Sequence, residues 1–358
     1  MSKHIAFKLE QAYGHIVPSA GIALELVRRG YRVSYVVTSE FAPAIARLGA
    51  QPLVLHLPLT RERLLSAIET GNSESLNEVI RFRTDCVLTQ MAQLYSENKP
   101  HLIIRDDIED KAAVALALQW EIPTIQFLPG VTEIPKAIEN DVCMLVPGPK
   151  ILLRGGDSVA PHARIIGFDA PSRKLFFTPW VFSENGRRTI LISVTTGLIP
   201  QIEFCKLLVE AFMDFPFNIV LSIGGLDRNS AVDKRLLGAL PENFRVNESS
   251  SNLEILERAC LYIGQGGHGS TSEAIYSGVP QILIPPSQYQ ESIASRVDEL
   301  GLGTRLDPAR VSAAQIRELS IRVLDDESTL RRVHLARDAM LLEPGADYAA
   351  DAIEQYLR

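Results

Sequence analysis

The sequence predicts an α/β protein of two tandem domains, each a parallel sheet doubly wound with helices on both faces. Three observations carry this. Short apolar runs alternate with helical stretches along the chain. The alternation breaks in an interval around residues 168–188, where Pro171, Pro179 and Gly186 stand among polar residues, and then starts afresh. At 358 residues, finally, the chain is long enough to build two cores. The expected boundaries are 1–175 and 185–358.

Each element has its own signal. HIAFKL (4–9) reads as a strand, and Pro18 to Arg29 as an amphipathic helix stopped by Gly30. RVSYVV (32–37) and PLVLHL (52–57) are further strands, with a helix between them. A helical stretch covers 74–97, followed by the buried strand LIIR (102–105), a helix over 110–120 and the strand TIQF (124–127). Beyond the interval come TILISV (189–194), a helix over 201–213, NIVLSI (218–223) and LYIG (261–264). A glycine loop, a helix over 270–277 ended by Gly278, an apolar run at Ile282–Ile284 and three closing helices complete the chain. Two such domains place a functional crevice between the C-terminal edges of their sheets.

Composition narrows the partners. The balance of 36 basic and 43 acidic residues, net −7, argues against nucleic acid or an anionic membrane surface as the main partner. No apolar stretch approaches the length of a membrane span, and MSKHIAFKLE is not expected to act as a signal peptide. Cys86, Cys143, Cys205 and Cys260 are scattered with no CxxC pair, as expected of reduced thiols in a cytoplasmic protein.

Two stretches carry chemistry. In GQGGHGSTSEAIYSGVPQILIPPSQYQ (264–290), glycines allow backbone amides to approach a ligand closely, and the helix that follows points unpaired amides at one spot. That spot suits a phosphate. A plain turn needed for helix–sheet packing would use the same glycines. In EQAYGHIVP (10–18) there is no GxGxxG, which counts against a dinucleotide-dependent dehydrogenase. His15 sits where this turn enters its helix, and Asp106 follows LIIR at the same sheet edge. A carboxylate reaching one ring nitrogen of His15 would fix its tautomer and raise its basicity, making a general base. A lone histidine is otherwise a packed or surface residue.

These stretches together resemble the GT-B glycosyltransferases of the family 1 type, which glycosylate natural products and small aglycones from UDP- or dTDP-sugars. The likeness covers nearly the whole chain. GHIVPSAGIALELVRRGYRVSYVV (14–37) resembles the family's GHxxP opening, PHLIIRD (100–106) with IPTIQF (122–127) its PDLVIxD…GIP segment, and 264–290 its donor-binding signature.

The resemblance implies roles. His15 deprotonates the acceptor hydroxyl and Asp106 is its partner. Ser270 and the amides around Gly267 and Gly269 match the diphosphate cradle; Thr196, Gln265, Gly266 and His268 belong to the same donor site, with His268 open between a ligand contact and a bystander. Glu273 holds the ribose hydroxyls, while Gln290 and Tyr289 stand where the family holds the transferred sugar. The reaction it implies is an inverting, in-line displacement needing no metal and no cofactor beyond the nucleotide-sugar co-substrate. Oligomeric state is left open, a homodimer being one option.

Departures from the family pattern are specific. Gln265 replaces a histidine, Tyr289 an aspartate, and Ser249 falls where a base-stacking tryptophan is common; Thr195 and Thr196 replace a Gly-Thr pair. The interval between TIQF and VCMLV (142–146) is short where acceptor-covering helices normally lie. Other readings stay open: an epimerase of nucleotide sugars, a non-catalytic partner protein, or metal-binding carboxylates in RDDIED (105–110). His4, His56, His101, His162 and His334 have no metal-ligand spacing and are read as structural, and RRVHLAR (331–337) as a solvated helix face.

Overall fold

The computed structural model describes residues 2–57, 73–106, 111–134, 141–154, 161–194, 201–223 and 234–357. They form two compact units: Met1–Pro147 with Gly155–Leu175 and Pro344–Arg358, and Gly148–Arg154 with Phe176–Glu343.

The first unit is built on a seven-stranded sheet. Its strands are β1 (His4–Lys8), β2 (Arg32–Val37), β3 (Gln51–Val54), β4 (Leu102–Arg105), β5 (Thr124–Phe127), β6 (Asp141–Val146) and β7 (Ala163–Ile165). Their order is β3-β2-β1-β4-β5-β6-β7, and every neighbouring pair is parallel. The chain winds outward from β1 to β3, then returns beside β1 and winds the other way. This reversal makes β1 and β4 neighbours, with Lys8 opposite Arg105 at their C-terminal ends. Strands covered on both faces need continuous apolar runs, and β1 and β4 are buried along their whole length.

On one face, Val87 and Met91 from the helix Ser73–Leu94, Tyr95 just after it, and Ala112, Ala113 and Leu116 from Lys111–Trp120 close over Ala6, Val36 and Ile103. Elsewhere the helix Ala20–Arg28 packs against the last helix, Ala346–Glu354. Ala349, Ala350 and Ile353 are fully buried, and Arg29 binds Asp351 at 2.6 Å and Glu354 at 3.2 Å. Residues 344–358 therefore belong with the first unit, although the expected boundary at 185–358 placed them in the second. An amphipathic helix joins whichever core buries its apolar stripe.

The second unit has six parallel strands: β8 (Thr189–Val194), β9 (Asn218–Ile223), β10 (Phe244–Asn247), β11 (Ala259–Gly264), β12 (Gln281–Leu283) and β13 (Gly303–Arg305). The order is β10-β9-β8-β11-β12-β13, so the reversal falls between β8 and β11. Ile190, Ile192, Leu221, Leu261, Ile263 and Ile282 form the core of one face with Leu208 and Phe212 from the helix Gln201–Phe212 and Ile316 from Ala313–Asp325.

Four helices follow β12 rather than three. Asp326 separates the helices Ala313–Asp325 and Glu327–Met340: it leaves helical space at φ −84, ψ 90 and accepts from Ser328 N at 2.9 Å. Strands β7, β10 and β13 went unread, being three to four residues long with mixed burial. Among the described residues, no helix is long and apolar enough to cross a membrane.

Candidate active site

The reversal points of the two sheets hold most of the residues singled out above. In an open parallel sheet the loops leaving adjacent strands diverge at such a point and leave room for a ligand.

In the first unit the exit of β1 turns into a four-residue helix, Tyr13–Ile16, that presents His15. Asp106 follows β4 directly, and its amide donates to Lys8 O at 3.3 Å. The pair meets: His15 Nδ1 lies 2.5 Å from Asp106 Oδ2, with 19% of the histidine side chain exposed and 1% of the aspartate. Glu10 N donates to the same Asp106 oxygen at 3.2 Å. A carboxylate so held takes the proton on Nδ1, which leaves Nε2 as the basic nitrogen of the neutral ring. That is the tautomer a general base requires.

A second layer steadies the pair, and sequence reading missed it. Arg105 makes a buried ion pair with Asp141, Nε to Oδ1 at 3.1 Å, and its Nη1 donates to Asp106 O at 3.0 Å. Thr124 Oγ1 donates to Asp141 Oδ1 at 2.8 Å. Gln11 spans the β1 exit, donating to Leu9 O at 2.8 Å and Val36 O at 3.2 Å and accepting from Thr38 N at 2.6 Å. Nothing local in the sequence signals the Arg105–Asp141, Thr124–Asp141 and Gln11–Val36 contacts, because the partners are brought together from separate segments of the chain. Beside the turn, Lys8, Gln11, Leu55, Leu57, Arg83 and Thr84 border a small open depression.

In the second unit the glycine loop leaves β11 at the reversal. Its helix runs His268–Tyr276, two residues earlier than the spacing suggested. Gly267 is the N-cap and offers no side chain, so the first-turn amides, those of Gly269 and Ser270 among them, lack both an intrahelical acceptor and a side-chain cap. By contrast, Ser287 and Ser312 cap the helices Gln288–Glu299 and Ala313–Asp325 of the same unit. The exposed positive end favours an anion.

Gly266 has φ +78, and a Cβ there would lie 2.7 Å from Gln290 O, so two constraints require glycine at this position. Gln265 is buried, and the His268 ring packs against Gly148, where a side chain would overlap it. Glu273, 6% exposed, lies one turn after Gly269 on the same helix.

The sugar-holding positions sit at the start of the next helix. Gln290 Oε1 accepts from Ser287 Oγ at 2.9 Å, so its carbonyl is turned back on the N-cap. Tyr289 is 53% exposed. Ser249 is tied into a polar turn, with its amide on Asn247 Oδ1 at 3.2 Å and its hydroxyl 3.0 Å from Thr178 Oγ1. Thr195 and Thr196 lie outside the described residues, as do 107–110 of RDDIED. Among the described residues, no three His, Cys, Asp or Glu side chains gather as metal ligands would.

A histidine–aspartate pair at the sheet reversal of one Rossmann-like unit and a glycine-capped helix at that of another fit a GT-B glycosyltransferase, and comparison with known proteins agrees. Residues 207–355 match the family described as erythromycin biosynthesis protein CIII-like, C-terminal domain. The chain is 30% identical to the NDP-glycosyltransferase YjiC of Bacillus licheniformis, over 99% of this chain and 98% of that protein. It is 27% identical to the demethyllactenocin mycarosyltransferase of Streptomyces fradiae, over 99% of this chain and 86% of the relative. Among solved structures, the glycotransferase of kitacinnamycin superposes with a TM-score of 0.82 at 25% identity, over 100% of both chains. The calicheamicin glycosyltransferase CalG4 gives 0.81 at 24% identity, over 99% of this chain and 98% of that one. The chain belongs to the family 1-type GT-B glycosyltransferases, and it is a glycosyltransferase.

Proposed function

We propose that the protein transfers a sugar from a UDP- or dTDP-sugar to a hydroxyl of a small natural-product acceptor, inverting the anomeric carbon without a metal ion. The observation that carries this reading is the His15–Asp106 contact, because a binding scaffold has no use for an imidazole held in the basic tautomer. The same contact disfavours the non-catalytic reading. The Bacillus relative's name supports a nucleoside diphosphate donor, and the Streptomyces relative's a natural-product acceptor.

In the proposed step, His15 Nε2 takes the acceptor proton as the acceptor oxygen attacks the anomeric carbon. The bond to the diphosphate oxygen breaks on the opposite face. The nucleoside diphosphate leaves with its negative charge against the first turn of the 268–276 helix, with Ser270 and the loop amides as donors. His15 holds the proton in an ion pair with Asp106. The acceptor hydroxyl lies against His15 at the β1 exit. Calorimetric titration with a panel of nucleoside diphosphates, followed by turnover with the matching donor sugars, tests the reading; no binding of any diphosphate would overturn it.

Two expected results belong to this mechanism. Because amides and Ser270 carry the leaving charge, activity should survive exhaustive treatment with a chelator. Absolute dependence on added magnesium or manganese would transfer the leaving-group role to a metal. The second concerns Tyr289. An aspartate at that position penalises donors that lack a sugar hydroxyl, since it leaves a buried charge unpaired. A half-exposed tyrosine removes that penalty. The donor sugar should therefore be deoxy or N-acetylated, read as a higher kcat/KM than for the matched glucose donor. A glucose preference retained in Tyr289→Phe would reject this.

A further inference from the structure

The strand that feeds the glycine loop carries a hydroxyl that the chemistry above does not use. Tyr262, in β11, is fully buried, and its hydroxyl makes no hydrogen bond of acceptable geometry. Buried polar groups are nearly always partnered, so such an exception calls for a reason.

Its placement supplies one. Residues two apart on a strand share a face, and a Cβ at Gly264 would overlap the Tyr262 hydroxyl and ring. The missing side chain at Gly264 is what lets the phenol reach forward to the end of the strand, beneath the loop. Gly264 pairs with Ser193 of β8 across the sheet reversal. Burial pushes the Tyr262 pKa up, the hydroxyls of Ser270 and Ser193 act against this, and the Glu273 charge adds to it. The group is thus a neutral phenol flanked by two serine hydroxyls and a carboxylate.

The direction of donation follows from the outermost partner. Asn252 Nδ2 donates to Ser193 Oγ at 3.0 Å. With an acceptor site on Ser193 so used, its own proton is available to Tyr262 Oη, and the Tyr262 proton is available to Ser270.

We propose that Tyr262 is a positioning residue of the donor site: with a nucleoside diphosphate at the first turn of the 268–276 helix, Tyr262 donates to Ser270 Oγ, and Ser270 donates to a phosphate oxygen. Asn252, Ser193, Tyr262 and Ser270 then form one directed chain ending on the phosphate charge. Each bond in such a chain polarises the next. The proposal rests on the donor-site reading above and deepens it, by naming a buried residue through which the protein recognises phosphate.

The test is Tyr262→Phe in the full chain, titrated calorimetrically with UDP and TDP and, as phosphate-free controls, with uridine and thymidine. Diphosphate affinity should fall roughly 3- to 10-fold, the size of one neutral hydrogen bond, while any nucleoside binding is unchanged. The melting temperature of the unliganded variant should hold or rise, because the change removes a buried hydroxyl that had no partner there. Ser270→Ala should lose at least as much affinity, and the double variant no more than Ser270→Ala alone. Wild-type diphosphate affinity in Tyr262→Phe would overturn the relay and leave the donor site standing. An equal loss for nucleosides, or additive losses in the double variant, would do the same. Failure of the unmodified protein to bind either diphosphate would overturn both the donor site and the relay.

Discussion

His15→Ala should lower kcat by roughly 10²–10⁴-fold, the contribution of a positioned general base, while nucleoside diphosphate affinity barely changes. The separation follows from where the ring sits. His15 belongs to the sheet reversal of the first unit, held 2.5 Å from Asp106, whereas the glycine loop belongs to the second unit. Asp106→Asn should cost less, since it mis-sets the imidazole without removing it. Single-turnover rates with donor bound in advance, together with diphosphate titrations, check both parts. Near-normal turnover of His15→Ala with an acceptor whose hydroxyl is un-ionised at the assay pH would remove His15 from the role.

Glu273→Ala should weaken nucleoside diphosphate binding by roughly 1.5–3 kcal/mol, the range for hydrogen bonds to a charged group. Glu273 is 6% exposed and follows the helix N-terminus by about one turn. From there it can accept from ribose hydroxyls while the first-turn amides hold the phosphates. Titration of both proteins with UDP measures the effect. Unchanged affinity would mean that the ribose is held elsewhere, and the carboxylate would then serve the packing around Tyr262.

Legibility in the sequence followed the range of the interactions. LIIR, TIQF, TILISV and NIVLSI were read to the residue, because a strand buried on both faces shows as an unbroken apolar run. The helix at the glycine loop was placed two residues late. Gly267 caps it without the side-chain signal that Ser312 and Gln315 give the helix Ala313–Asp325. Three short strands were missed because three or four residues of mixed burial carry no readable period.

The His15–Asp106 pair was legible because both members follow the C-terminal ends of neighbouring strands of one parallel sheet, and their shared edge follows from topology. The groups that fix its geometry were not. Arg105, Asp141, Gln11 and the Glu10 amide reach partners on other segments of the sheet, and which side chains meet there depends on register, a property of the folded sheet.

Taken alone, the chain determined the alternation of strand and helix, the two sheets, the two loops at their reversal points and the pairing of His15 with Asp106. These are all written in local periodicity and in residue types at fixed spacing. Only the tertiary structure decided that residues 344–358 join the first unit, that Gln290 turns its carbonyl back on Ser287, and that a fully buried Tyr262 hydroxyl lies over Gly264. Each of these depends on which surfaces and polar atoms find partners once the chain has closed, and a local pattern carries no record of that.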